Sequence, residues 1–151
     1  MQKKSIAGAF LITIALASSA LGKPKNIVIT RHADRPEADN CLSLQGLERA
    51  AALAYYFAGT PLYNTPPIAH VFAEFKGKDS SSTRSIQTCT SIANHLTLPV
   101  NTDYKPKEVA KLSKEILTNP KYNNTTVLIC WNHGNINKLV NALGEIGRAH
   151  V

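Results

Sequence analysis

The sequence predicts an α/β fold, a three-layer domain in which a mostly parallel sheet is flanked by helices. Two observations carry the prediction. Short apolar runs rich in β-branched residues alternate with longer segments whose apolar residues recur at helical spacing. Arginine and histidine residues follow those apolar runs directly, at the strand ends where open α/β sheets gather their ligands.

Each element has its own signal. Residues 26 to 30, Asn-Ile-Val-Ile-Thr, read as a strand buried on both faces. Pro36, Asp39 and Asn40 mark residues 33 to 42 as a loop. Ser43 suits a helix N-cap, and Leu44, Leu47, Ala51, Ala54, Tyr55 and Phe57 keep a helical period to about residue 57. Gly59-Thr60-Pro61 ends it. Ile68 to Phe75 is the second apolar run, and Gly77 to Ser82 a polar turn. A helix follows from about Thr83 to His95, with Ile86, Cys89, Ile92, Ala93 and Leu96 on one face. Leu98 to Thr102 allows a short strand. Pro106 suits a first helical turn, carried on by Val109, Leu112 and Ile116 to Thr118, where Asn119-Pro120 stops it. Thr125 to Trp131 is a clear strand, and Gly134 to Leu143 a last helix with Ile136, Leu139, Val140 and Leu143 apolar.

The two ends fall outside this pattern. Lys3 and Lys4, an apolar run from Ile6 to Ala17 and small residues around Ala20 to Gly22 predict a signal peptide over 1–22. The apolar run is short for a bilayer span, so no stable membrane anchor is expected after cleavage, and the domain is expected to be secreted or periplasmic. Residues 145–151 break the last helical pattern and match the translation of a common sequencing-adapter sequence. They are expected to be a non-native tail, with the domain at 23–144 lacking its C-terminal strand.

Of the 151 residues, 17 are basic and 10 acidic, a formal +7. Setting aside Lys3, Lys4, Arg148 and Glu145 leaves 14 basic and 9 acidic residues, a formal +5. The lysines are scattered, which argues for a solvated basic surface and against a nucleic-acid partner. Such a field favours phosphorylated substrates. Cys41, Cys89 and Cys130 allow one disulfide and one free thiol, with the pairing open. None has metal-ligand spacing, and the histidines lack carboxylate or cysteine partners at such spacing, so no metal is expected. Asn123-Asn124-Thr125-Thr126 holds overlapping glycosylation sequons, meaningful only in a eukaryotic host.

Four basic groups map to one sheet edge: Arg31 and His32 after the first strand, Arg84 at the helix after the second, His133 after the third clear strand. Phosphoryl transfer asks for such groups. Arginine forks neutralise the phosphoryl oxygens, a neutral imidazole attacks phosphorus, and helix N-termini add N–H donors. Neighbouring arginine charge disfavours protonation of the imidazole. His70 and His95 lack such context and read as structural or surface residues, and Trp131 as packing.

Arg31-His32-Ala33, Ser43-Leu44-Gln45-Gly46-Leu47-Glu48-Arg49-Ala50, Ser82-Thr83-Arg84-Ser85-Ile86-Gln87-Thr88 and Asn132-His133-Gly134-Asn135 occur in that order. Together they resemble the histidine phosphatase superfamily, branch 1, with its phosphoglycerate-mutase-like fold, across residues 26 to 144. The resemblance implies that His32 is the phosphorylated nucleophile. It implies that Arg31 and Arg84 bind phosphate and that His133 completes the substrate-binding group. Ala33 stands where that family has Gly, which matters if the backbone there has a positive φ. The resemblance offers Glu108 as general acid, with Asp34, Glu37 and Glu74 as rivals. It implies a phosphatase that acts through a phosphohistidine without a cofactor, on a phosphorylated small molecule or phosphoprotein. A phosphoglycerate mutase-type phosphotransferase and a non-catalytic phosphate-binding or interaction module are the alternatives.

Overall fold

A computed structural model describes residues 23–59, 66–77, 82–144 and 149–150. The expected signal peptide, most of the expected tail, and Ser80 and Ser81 lie outside the described residues.

Six residues, Asn26–Arg31, form β1, and Leu44–Gly59 forms α1. Ile68–Ala73 is β2, Arg84–Leu96 is α2 and Val100–Asn101 is β3. Val109–Thr118 is α3, followed by a 3₁₀ turn at Pro120–Tyr122. Thr126–Trp131 is β4 and His133–Leu143 is α4. The strands lie in the order β3-β2-β4-β1, all parallel. A two-residue β5, Ala149–His150, adds to the β1 edge beside Ile27 and Val28. The sequence predicts no strand after the last helix. The open backbone edge of β1 instead takes this short pairing, as unpaired strand edges do.

β4 is the central strand, and all six of its residues are buried. Its alternation feeds two cores. Val127, Ile129 and Trp131 join Ile29, Phe72 and Tyr122 against Val109, Leu112 and Ile116 of α3 and Ile136, Leu139 and Leu143 of α4. Leu128 and Cys130 join Val71 and Ala73 against Ala54 of α1 and Cys89, Ile92 and Ala93 of α2. The domain is therefore the three-layer sandwich that the alternating pattern predicts. A disulfide between Cys89 of α2 and Cys130 of β4 crosses one layer boundary, and Cys41 is free. Among the described residues, no helix is long and apolar enough to cross a membrane.

Two boundaries shift. α3 begins at Val109, not near Pro106, because Glu108 closes a turn: its N–H donates to the Lys105 carbonyl and its carboxylate accepts from the Lys105 N–H. β2 ends at Ala73 because Glu74 turns inward, and the Phe75 N–H donates to Tyr104 at 2.7 Å.

Candidate active site

The parallel topology brings the carboxyl ends of β1, β2 and β4 side by side. Arg31 ends β1 opposite Trp131, the last residue of β4. His32 follows, and its N–H donates to the Trp131 carbonyl at 3.3 Å. The residue is 6% exposed, and Nδ1 sits 2.8 Å from the Ala33 carbonyl. A carbonyl only accepts, so Nδ1 carries a proton. In the neutral ring this leaves the lone pair on Nε2. Burial, followed by the charges of Arg84 and Arg31, lowers the His32 pKa, against the Ala33 hydrogen bond and Glu74, which raise it. The ring is thus biased toward its neutral, nucleophilic form.

His133 opens α4, and its ring centroid lies 6.4 Å from that of His32, tilted by 73°. Arg84 opens α2, and its Nε–H donates to Ser82 Oγ at 2.9 Å. Neither helix has a side-chain cap: Thr83 and Asn132 make no capping hydrogen bond. The Arg84 N–H donates to Ser82 Oγ at 3.4 Å, and helix starts of this kind present N–H groups to water or to an anion.

The motif residues around this group hold it by hydrogen bonds. Thr88 Oγ1 accepts from the Ala33 N–H at 3.0 Å and donates to the Arg84 carbonyl at 2.8 Å. Gln87 Oε1 accepts from the Leu42 N–H at 2.8 Å, and Thr83 Oγ1 donates to the Asn40 carbonyl at 3.2 Å. One face of α2 thereby clamps both ends of the loop that follows His32. On α1, Ser43 Oγ accepts from the Gly46 N–H at 3.0 Å, the N-cap that the sequence predicts, worth about 1 kcal/mol. The same hydroxyl donates to the Asp34 carbonyl at 3.2 Å. A Cβ on Gly46 would lie 2.2 Å from that carbonyl oxygen, so only glycine lets α1 close on the loop. Ala33 is no obstacle. Its φ is not positive, and its methyl group packs with Leu42 and Ala50.

The sequence-predicted residues divide. Arg31, His32, Arg84 and His133 converge on the carboxyl edge of the sheet. Glu108 has other partners: the Lys105 N–H at 2.9 Å and Lys111 at 3.6 Å. The Lys105 hydrogen bond, with help from Lys111 and Lys105 charge, lowers its pKa, whereas a general acid needs it raised. Asp34 pairs with Arg49 at 3.4 Å, both exposed, and Glu37 is exposed. Glu74 differs from all of these. It is 1% exposed, accepts from Ser85 Oγ at 3.0 Å, and accepts from the Asn132 amide. The sequence offered it only as a rival acid. Its signal was weak: one carboxylate closing an otherwise apolar strand run. Ser85, Thr88, Gln87 and Asn132 were legible only as letters of motifs. Among the described residues, no cluster of His, Cys, Asp or Glu is arranged to hold a metal ion.

Compared with protein-family models, curated proteins and solved structures, the chain matches none of them. Fold and site together define a class: a three-layer α/β domain that gathers two arginines and two histidines at the carboxyl edge of a parallel sheet. Such an edge can hold a tetrahedral oxyanion against an imidazole.

Proposed function

We propose that this chain is an exported histidine phosphatase with a phosphoglycerate-mutase-like fold, hydrolysing a phosphomonoester through a phosphohistidine on His32. The observation that carries the reading is the state of His32. It is buried beside Arg31 and Arg84, its Nδ1 meets the Ala33 carbonyl at 2.8 Å, and burial with the two arginine charges lowers its pKa, which favours a lone pair on Nε2. Nε2 attacks phosphorus, the P–O bond to the alcohol breaks, and the electron pair leaves with that oxygen. Arg31 and Arg84 neutralise the phosphoryl oxygens, and His133 donates to them. Water then attacks the phosphohistidine and frees phosphate and the ring. Substrates are phosphorylated small molecules or phosphoproteins, and these residues require no cofactor.

Export is supported by two features. The basic, apolar and small-residue succession over 1–22 is that of a signal peptide. The buried Cys89–Cys130 disulfide suits an oxidising compartment.

The test is metal-independent hydrolysis of p-nitrophenyl phosphate by the full chain, wild type against His32→Ala. That leaving group needs little help from an acid, so the assay isolates the nucleophile. Loss of turnover and of acid-labile phosphoprotein in the variant is expected. Equal rates would remove His32 from the mechanism. A phosphate-binding module without turnover is the second reading, favoured by Glu108, whose surroundings hold it as a charged carboxylate. Vanadate binding that needs Arg31 and Arg84, without hydrolysis, would establish it.

A further inference from the structure

Glu74 is a buried carboxylate that the phosphoryl-transfer scheme leaves unused. It directly follows β2, and both of its oxygens are occupied. Oε1 accepts from Ser85 Oγ, one residue past Arg84. Oε2 accepts from Asn132 Nδ2, one residue before His133. The amide of Asn132 is fixed in turn, because its Oδ1 accepts from Asn135 Nδ2 at 3.0 Å. That is why Asn132 does not cap α4: its side chain is drawn inward to the carboxylate. Ser85 is fully buried, so its hydroxyl has no water to turn to. A chain of hydrogen bonds thus runs from α2 through β2 to α4, behind the four basic groups.

We propose that Glu74 is a positioning residue: its carboxylate ties the segment carrying Arg84 to the segment carrying His133 and so fixes the spacing of two of the three groups that hold the phosphoryl oxygens. The inference rests on the phosphatase reading for its role in turnover, but the tie itself is a property of the unliganded chain. A second consequence supports it. The Glu74 charge opposes those of Arg84 and Arg31 at His32, and its direction there is to raise the ring's pKa. The carboxylate therefore limits how far the cationic edge depresses the nucleophile's basicity.

The network predicts its own rescue. In Glu74→Gln, one amide orientation accepts from Ser85 but sets the new NH₂ against the NH₂ of Asn132, and the other accepts from Asn132 but takes from the buried Ser85 hydroxyl the acceptor for its proton. Turning the Asn132 amide passes the clash to Asn135, whose amide must then turn as well, so the single variant re-orders the polar groups at the start of the helix that carries His133. Adding Asn132→Asp cures it: the Gln amide donates to the Asp carboxylate, which still accepts from Asn135. The carboxylate has moved one step along the chain and every partner is satisfied.

The experiment compares the full chain as wild type, Glu74→Gln, and the double variant Glu74→Gln/Asn132→Asp. It has two readouts. One is kcat and KM for p-nitrophenyl phosphate, where misplacement of the phosphate groups is expected to cost on the order of 100-fold in kcat/KM in the single variant. The double variant is expected to regain most of that loss. The other is the NMR signal of the Arg84 Nε–H and the His133 ring without substrate, expected to shift or broaden in the single variant and to return in the double. If wild type hydrolyses nothing, the phosphatase reading fails while the NMR comparison still judges the tie. A single variant with unchanged kinetics and spectra overturns the proposal. So does a folded double variant no better than the single one. If the single variant fails to fold, the return of signals and rate in the double variant supports the tie, and their absence overturns it.

Discussion

His32 and His70 make an instructive pair. Burial lowers the pKa of both rings, and it is the largest cause in each case. Both belong to the same sheet: His32 directly follows β1, and His70 lies within β2. His70 even lines a cleft of about 390 Å³ with Phe72, Asn101, Asp103, Lys121 and Tyr122. Yet the surroundings differ in kind. The His70 ring packs edge-on against Tyr122 at 4.8 Å and hydrogen-bonds the Lys121 backbone. Among the described residues, the cation acting on it is Lys121, an exposed side chain already over the Tyr122 ring and 3.6 Å from Glu115. His32 has two arginines, a second imidazole and the starts of two helices beside it. A histidine whose pKa is lowered by partial burial is thus ordinary; what distinguishes His32 is convergent positive charge at a strand's carboxyl end.

The sharpest way to break the comparison is to delete each ring. His32→Ala is expected to lower kcat for p-nitrophenyl phosphate by at least on the order of 10⁴-fold, as loss of a nucleophile does. His70→Ala is expected to keep wild-type kinetics and to lose about 1–2 kcal/mol in a denaturant titration, because a packed ring is removed. Comparable activity losses in the two would sink the distinction. The next step is to delete the cation beside each ring. Arg84→Met is expected to reduce kcat/KM by about 10²–10³-fold, the scale of one lost transition-state donor. Lys121→Met should leave kinetics unchanged and stability within about 1 kcal/mol, since its ion pair is exposed. A third step moves the loop and not the chemistry. Gly46→Ala drives a methyl group into the Asp34 carbonyl, with an expected cost of about 1–3 kcal/mol in stability and a fall in activity from the displaced loop.

The same pair shows what the sequence could and could not reveal. The parallel sheet and its flanking helical layers were legible because the alternation of apolar runs reports burial directly: β4 is buried along its whole length, as its unbroken Thr-Val-Leu-Ile-Cys-Trp run predicts. Arg31, His32, Arg84 and His133 were legible because each follows a strand or opens a helix, and parallel topology does the rest. Glu108 was misleading for a local reason. Its carboxylate serves a turn at the start of α3, a contact three residues away that motif spacing cannot see. Glu74 was nearly invisible for a non-local one. Its partners stand 11 and 58 residues along the chain, and only the register of β2 beside β4 brings them together. The two-residue β5 had no apolar run to announce it.

The finest test is titration, and its sign differs between the rings only when an anion is added. Each ring's folded pKa lies below its ordinary value of about 6.5. Between the unfolded and the lowered folded values, the unfolded chain binds more protons. Each ring's contribution to stability is therefore complete above about pH 6.5 and is lost as pH falls through its lowered folded value. Both variants, His32→Ala and His70→Ala, should flatten the stability profile in that window. Activity should respond to His32 alone: kcat/KM falls on the acid side as the ring takes a proton and loses its attacking lone pair. Vanadate then separates the two. A bound oxyanion at Arg31 and Arg84 offsets the charges that depress His32, so its NMR titration midpoint should rise by about one unit or more. His70, whose surroundings the anion does not enter, should titrate as before. A midpoint that moves at His70, or at neither ring, would mean that the oxyanion binds elsewhere and that the arginines beside His32 do not form its site.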